Sequence, residues 1–299
     1  MVTDDALPAG TLPITGAVVP VPVRVRRNWT REDQENADEM GTRVPETLYR
    51  YVKLRYRSVE HSPLLREYVA ATVKGSTLHF SNYTDMNDPF EGSFSVSVDA
   101  DAETKVAYWT EAGREHGKTP AEIEATVRGM LNATSDRAFE KVVQDNFSTQ
   151  GLCCFTGNHD DVLAWSYYAG GHGGLCLRFR MKTLFQTLGQ SPGMLLEVQY
   201  KEHHPHEQFY QSGMFNMLRA ALCTKAKMWE HEGEWRIVLE GPGDVAFPPH
   251  ALDGIVMGCR ITPDDEEFVR SLVAGRKPPI ELLRAVKKER EYALQIVTA

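Results

Sequence analysis

The feature that most constrains the fold of this chain is the shortness of its apolar runs. From Thr47 onward, LYRYVKL, STLHFS, GLCCFT, GLCLRFR, LLEVQY, EWRIVLE, GIVMG and YALQIV each read as one strand bounded by polar or turn residues. Between them, SPLLREYVAATVKG, MKTLFQTLG and the longer FYQSGMFNMLRAALCTKAKMW carry helical spacing. Lys74 and Gly75 suit the end of the first of these helices, and Thr262 with Pro263 suits the start of a last one. Residues 101 to 146 read as two helices split at Lys118, Thr119 and Pro120, a helical insertion. Strands outnumber clean βαβ units and no internal repeat is visible. The pattern therefore predicts a mixed α+β fold with mainly antiparallel sheets around a central ligand cleft.

Residues 1 to 45 lack sustained apolar periodicity. They carry Pro, Gly and Thr, then Arg24, Arg26 and Arg27, then the acidic run REDQENADEM. This is the composition of a flexible arm ahead of a single domain at 46–299, and its arginines read as a solvated charge run or a phosphate contact. The N-terminus is acidic where a secretory signal is basic, and prolines interrupt LPITGAVVPVPV, so neither export nor membrane insertion is expected. Five cysteines without CxxC spacing read as reduced thiols, which places the chain in a cytoplasm. A formal net charge of -8 argues against a surface built along its length to grip nucleic acid.

Three segments concentrate the chemistry. In WEHEGEWR, strand alternation would set Glu232, Glu234 and Arg236 on one face and turn Trp235 to the packed side. Such a pair suits hydrogen-bonding a sugar hydroxyl or steadying an oxocarbenium-like centre, and a solvated strand edge explains the same pattern. In FSNYTDMNDPFEG, Asn87, Asp88 and Pro89 form a turn in which Asx side chains bond their own backbone. Asp88 and Glu91 are then ligand contacts or parts of a rigid turn, and Ser81 ends the preceding strand facing the same cleft. In AWSYYAGGHGGLCLRF, aromatics including Trp165 and Tyr168 run into four glycines around His172, where freed amides could meet anions. The helix precedes the glycines, so this is not a phosphate loop. The histidines of EHHPHE match no standard metal spacing, and Cys153 and Cys154 lack an evident activating base.

Taken in order, LYRY, LHFSNYTDMNDPFE, CFT with LAWSYYAGGHGGLCLRF, KAKMWEHEGEWRI and GIVMGCRI resemble the bacterial family known as domain of unknown function 2971, over roughly residues 47 to 297. The order of those motifs is in turn similar to the ADP-ribosyltransferase superfamily, which cleaves NAD at the nicotinamide ribose. That resemblance implies a split sheet, with Glu234 as the catalytic residue and Glu232 orienting the acceptor. It also implies Arg50 and Tyr51 on a first strand, with Arg50 at the pyrophosphate, and a middle motif near Phe80 and Ser81, although the usual Ser-Thr-Ser triplet is absent. Asn87, Asp88, Trp165, Tyr168, His172 and Arg236 complete the expected NAD site. Families of this kind are often toxins or defence effectors that act on protein or nucleic acid. Two other readings stay open: a metal-dependent phosphoesterase or nuclease using Asp88, Glu91, Glu232 and Glu234, and a non-enzymatic nucleotide-binding sensor.

Overall fold

A computed structural model describes residues 11–14, 17–20, 44–55, 62–115, 117–131, 140–141, 144–145, 147–188 and 194–299. Arg24, Arg26, Arg27 and the acidic run of the expected arm lie outside the described residues. The chain falls into two compact units, one formed by 1–42, 82–150 and 199–227, the other by 43–81, 151–198 and 228–299.

The first unit holds short strand pairs and helices. β1 (Thr11–Ile14) pairs antiparallel with β2 (Ala17–Pro20). β5 (Ser95–Ser97) pairs parallel with β10 (His206–Gln208), and β9 (Gln199–Lys201) pairs parallel with β11 (Thr224–Ala226). The expected helical insertion is present as α2 (Ala102–Glu115) and α3 (Pro120–Leu131). α3 opens on a capping box: Glu122 accepts from the Thr119 amide at 2.8 Å, and the Thr119 hydroxyl oxygen accepts from the Glu122 amide at 3.4 Å. The long helix expected over 209–229 is shorter, α6 (Met214–Leu222). Thr224 to Ala226 leave the helix to pair with β9, and Lys227 to Glu232 form a 3-10 turn. The tertiary ladder overrides a helical pattern at its β-branched Thr224.

The second unit is built on a ten-stranded sheet. Its strands are β3 (Thr47–Val52), β4 (Thr77–Asn82), β6 (Gln150–Thr156), β7 (Leu175–Arg180), β8 (Met194–Glu197), β12 (Glu234–Glu240), β13 (Gly243–Ala246), β14 (Leu252–Met257), β15 (Glu281–Lys287) and β16 (Leu294–Thr298). The order β13-β4-β6-β3-β7-β14-β15-β16 is joined by β12, which pairs with β6 and β8. β14 and β15 are parallel, and the pairs of β3 with β6 and β7, β7 with β14, β12 with β8, β13 with β4 and β15 with β16 are antiparallel. The fold is thus α+β with mixed, mostly antiparallel sheets.

Two clusters show which side chains face which side. α1 (Ser62–Val73), α5 (Met181–Leu188) and α7 (Pro263–Val273) give Val69, Val73, Met181, Leu184, Val269 and Leu272 to the larger core. α4 (Val162–Tyr168) gives Trp165 to a smaller cluster with Cys176, Val256, Ala285 and Leu294. The expected cap holds at Thr262, which accepts from the Asp265 amide with Pro263 in the first turn. Asp161, not among the expected caps, caps α4 by accepting from the Leu163 and Ala164 amides. α7 is further tied down by Arg55 and Arg66, which both pair with Asp264 and Asp265. Those contacts hold the Asp265 carboxyl below its ordinary range even though its burial works the other way.

Candidate functional site

Alternation along the strands sorts the candidate residues onto two faces. On β3, Leu48 and Val52 enter the larger core while Tyr49 and Tyr51 pack against the smaller one under α4. On β12, Trp235, Ile237 and Leu239 enter the larger core, which leaves Glu234 and Arg236 on the α4 side. On β6, Cys153 and Phe155 belong to the larger core and Cys154 and Thr156 alternate with them. The α4 face therefore gathers Tyr49, Tyr51, Cys154, Thr156, Glu234, Arg236 and Trp165.

Arg50 falls on the other face. Its Nη2 donates to the hydroxyl of Tyr68 on α1 at 3.3 Å, and its Nη1 donates to the Cys154 carbonyl at 2.8 Å. The ladder between β3 and β6 explains the second bond. Tyr49 opposes Thr156, and the next antiparallel rung would set Tyr51 opposite Cys154. The guanidinium takes the Cys154 carbonyl instead, where β6 turns its pairing to β12. Arg50 is thus a prop at the fork of the sheet.

The two glutamates do not share a strand face as expected. Glu232 ends the 3-10 turn, and Gly233 at φ +50° turns the chain so that the strand begins only at Glu234. Both carboxylates are buried all the same. Glu232 Oε1 accepts from the Tyr168 hydroxyl at 2.7 Å, and its backbone carbonyl accepts from Thr156 at 2.5 Å. Glu234 is held two-pronged by Arg236, whose Nε and Nη2 donate to Oε1 at 2.8 Å and Oε2 at 3.2 Å. Arg236 is 1% exposed, so this ion pair is inside the protein. The Cys154 thiol completes the group with a hydrogen bond to Glu234. Burial, and then the Glu234 charge, push that thiol well above its ordinary pKa, which keeps it a donor.

A turn that the sequence reading passed over, Gly157 to Asp160, closes this end. The Asn158 amide donates to Thr156 Oγ1 and its side chain donates to the His231 carbonyl at 3.1 Å, while Tyr51 donates to the Asn158 carbonyl at 2.8 Å. Trp165 Nε1 donates to the His159 carbonyl, and the His159 ring stacks on Tyr49 with centroids 4.9 Å apart. Burial raises the Tyr51 and Tyr49 hydroxyls above their ordinary values, so both remain neutral donors. Further out, Tyr167 meets Trp229 edge-on at 6.5 Å, and Trp229 stacks with His231 at 6.3 Å. The signal for Thr156 and Asn158 in the sequence was the TGN turn after CFT, a plain strand end with no chemistry of its own.

His172 lies elsewhere on the α4 side. It has φ +70°, follows Gly170 and Gly171 at +60° and +68°, and stacks on Trp165 with centroids 6.5 Å apart. The amides of Gly171, His172 and Gly174 donate to the carbonyls of Ser166, Trp165 and Ala169, so three of the amides expected to meet anions are engaged within the loop. Burial, Arg260 and Lys287 hold the His172 pKa below its ordinary value. Ser81 lies on β4, half-buried.

Asn87 and Asp88 belong to the first unit. Asp88 is buried and accepts from the Phe90 amide at 2.9 Å while its carbonyl accepts from Glu91, the self-bonded turn expected of NDPFE. Asn87 is exposed. In EHHPHE, His204 approaches the Ser93 carbonyl and His206 the Ser95 hydroxyl. Among the described residues, no group of three or more His, Cys, Asp or Glu is placed to hold a metal ion. No helix among them is long and apolar enough to cross a membrane.

Residues 164–237 match the family described as Protein of unknown function (DUF2971). The matched segment runs from the start of the WSYYAGGHGG block to Ile237, and so contains Tyr168, Glu232, Glu234 and Arg236. The LYRY strand and the NDPFE turn fall outside it. No curated protein and no solved structure matches the chain.

Proposed function

We propose that this chain is an NAD-dependent ADP-ribosyltransferase-like enzyme that modifies a protein or nucleic acid, with Glu234 as its catalytic carboxylate. The observation that carries the reading is one buried arrangement: Glu234 held by Arg236 and Cys154, beside Glu232 held by Tyr168. An adjacent arginine favours the charged form of a carboxylate, and the two-pronged clamp fixes where that charge sits. As the bond from nicotinamide nitrogen to ribose C1 breaks, nicotinamide leaves with the electron pair and positive charge grows on the ribose. The fixed Glu234 charge stabilises it there, in a site where a paired carboxylate need not reorganise. Glu232 then orients the acceptor nucleophile and takes its proton as the bond to C1 forms.

The aromatic group of Tyr49, His159, Tyr167 and Trp229 supports the reading by offering ring faces for the nicotinamide. Arg50 is left out of it as a pyrophosphate ligand, because its guanidinium is engaged by Cys154 and Tyr68 on the opposite face. The test is incubation with NAD labelled on the adenylate portion, following nicotinamide release and label transfer to protein, DNA and RNA. Release with transfer to one acceptor class is expected. Absence of release with every acceptor class would overturn the proposal.

A further inference from the structure

The loop Gly170–Gly174 is locked to the segment that follows β14. Gly258 donates to the Gly174 carbonyl at 3.0 Å, and the Arg260 amide donates to the His172 carbonyl at 2.9 Å. A Cβ at Gly258 would meet that same His172 carbonyl at 2.1 Å, and one at Gly174 would meet the Val52 carbonyl at 2.2 Å. Only glycine permits packing this close. The fold thus holds a non-glycine residue in the left-handed region, at φ +70°, with its backbone bonded on both sides. Such strain persists where surrounding structure enforces it, and it collects at functional sites.

The side chain so placed is only half satisfied. Nδ1 of His172 is enclosed without a hydrogen-bond partner. A buried nitrogen without an acceptor is least costly when it carries no proton, which puts the proton of the neutral ring on Nε2. Nε2 has no partner among the described residues and is not enclosed, so it is a donor available to a ligand. Two cations act on the ring, Arg260 and Lys287, and a third, Lys53, flanks the loop. Arg260 belongs to the interlocked segment. Lys287 extends beyond Arg284 at the end of β15, which runs parallel to β14 with Arg284 beside Met257, and so reaches the same rim. Lys53 lies beside Gly170, its Cγ 3.9 Å from where a Cβ would stand. Arg260 and Lys287 are exposed, and neither they nor Lys53 make an ion pair among the described residues. Acidic groups of adjoining segments are already engaged, Asp264 and Asp265 by Arg55 and Arg66, and Glu291 by Lys288.

We propose that His172, Arg260, Lys287 and Lys53 form a binding site for a phosphoryl or pyrophosphoryl group. Cations without an ion pair beside one neutral donor suit a dianionic ligand held by side chains, since the amides of Gly171, His172 and Gly174 are engaged within the loop. The low pKa of His172 agrees with this, since it keeps the ring neutral in the unliganded protein. The site shares no residue with Glu232, Glu234 or Arg236, so it stands or falls apart from the transferase reading.

The test is isothermal titration of the full chain with inorganic pyrophosphate, ADP and adenosine. Pyrophosphate and ADP are expected to bind and adenosine not, with affinity falling as salt rises. Arg260→Gln with Lys287→Gln should weaken both phosphate ligands about tenfold or more, and His172→Phe by a similar factor, from the loss of charge-assisted hydrogen bonds. Glu234→Gln should leave pyrophosphate binding unchanged. Binding of pyrophosphate without ADP would support the site and identify its ligand as a small inorganic anion. Failure of pyrophosphate to bind, or wild-type affinity in the Arg260 and Lys287 double variant, would overturn the proposal. Both of those cations are exposed, so the double variant tests binding even where a His172 variant does not fold.

Discussion

Two charged segments pack against α4 and treat their charges in opposite ways. From Glu232 to Arg236 the charges are buried and answered from within, Glu234 by Arg236 and Glu232 by Tyr168. Around His172, the cations Arg260, Lys287 and Lys53 have no anionic partner among the described residues, and the first two stand in water. The difference lies in how much each set of charges contributes to stability. A buried, compensated charge cannot be altered without leaving its partner stranded, whereas an exposed, uncompensated one contributes to binding and little to stability.

The comparison can be broken most forcefully at Arg236. Arg236→Met would leave Glu234 buried without its clamp, and thermal or denaturant unfolding should show a loss of roughly 3–5 kcal/mol. Stability equal to wild type would mean that the pair is solvated and the contrast false. A smaller effect is expected at Tyr168. Tyr168→Phe removes one hydroxyl donor from a buried carboxylate and should cost about 1–3 kcal/mol in the same measurement. The smallest belongs to the basic rim, where Arg260→Gln with Lys287→Gln should change stability by within roughly 0.5 kcal/mol. A large destabilisation there would show that these cations are structural.

The legible part of the fold was the part set by local pattern. Strands such as EWRIVLE and GLCLRFR and the caps at Thr119 and Thr262 follow from alternation and from side chains that bond their own backbone. What the sequence hid was decided by distant partners. Lys225 follows helical spacing but pairs with Tyr200 on β9, which cuts the long helix short. The site was legible to the same extent. Glu234 and Arg236 share a face because they are two apart on a strand, but Glu232 reaches its buried place by way of Gly233 at φ +50°. Arg50 and Tyr51 are neighbours in sequence, so the strand sends them to opposite faces, and no motif order could reveal that. Thr156, Asn158 and Cys154 enter through sheet pairing and a turn, neither of which leaves a compositional signal.

The most direct test of the account compares nicotinamide release from NAD by the wild type, Glu234→Gln and Glu232→Gln, each first shown to be folded. Glu234→Gln keeps the shape of the side chain and removes the charge that Arg236 holds in place. The account predicts release by the wild type, a loss of about a hundredfold or more in Glu234→Gln with NAD still bound, and altered acceptor use in Glu232→Gln. Equal release by wild type and Glu234→Gln would contradict it.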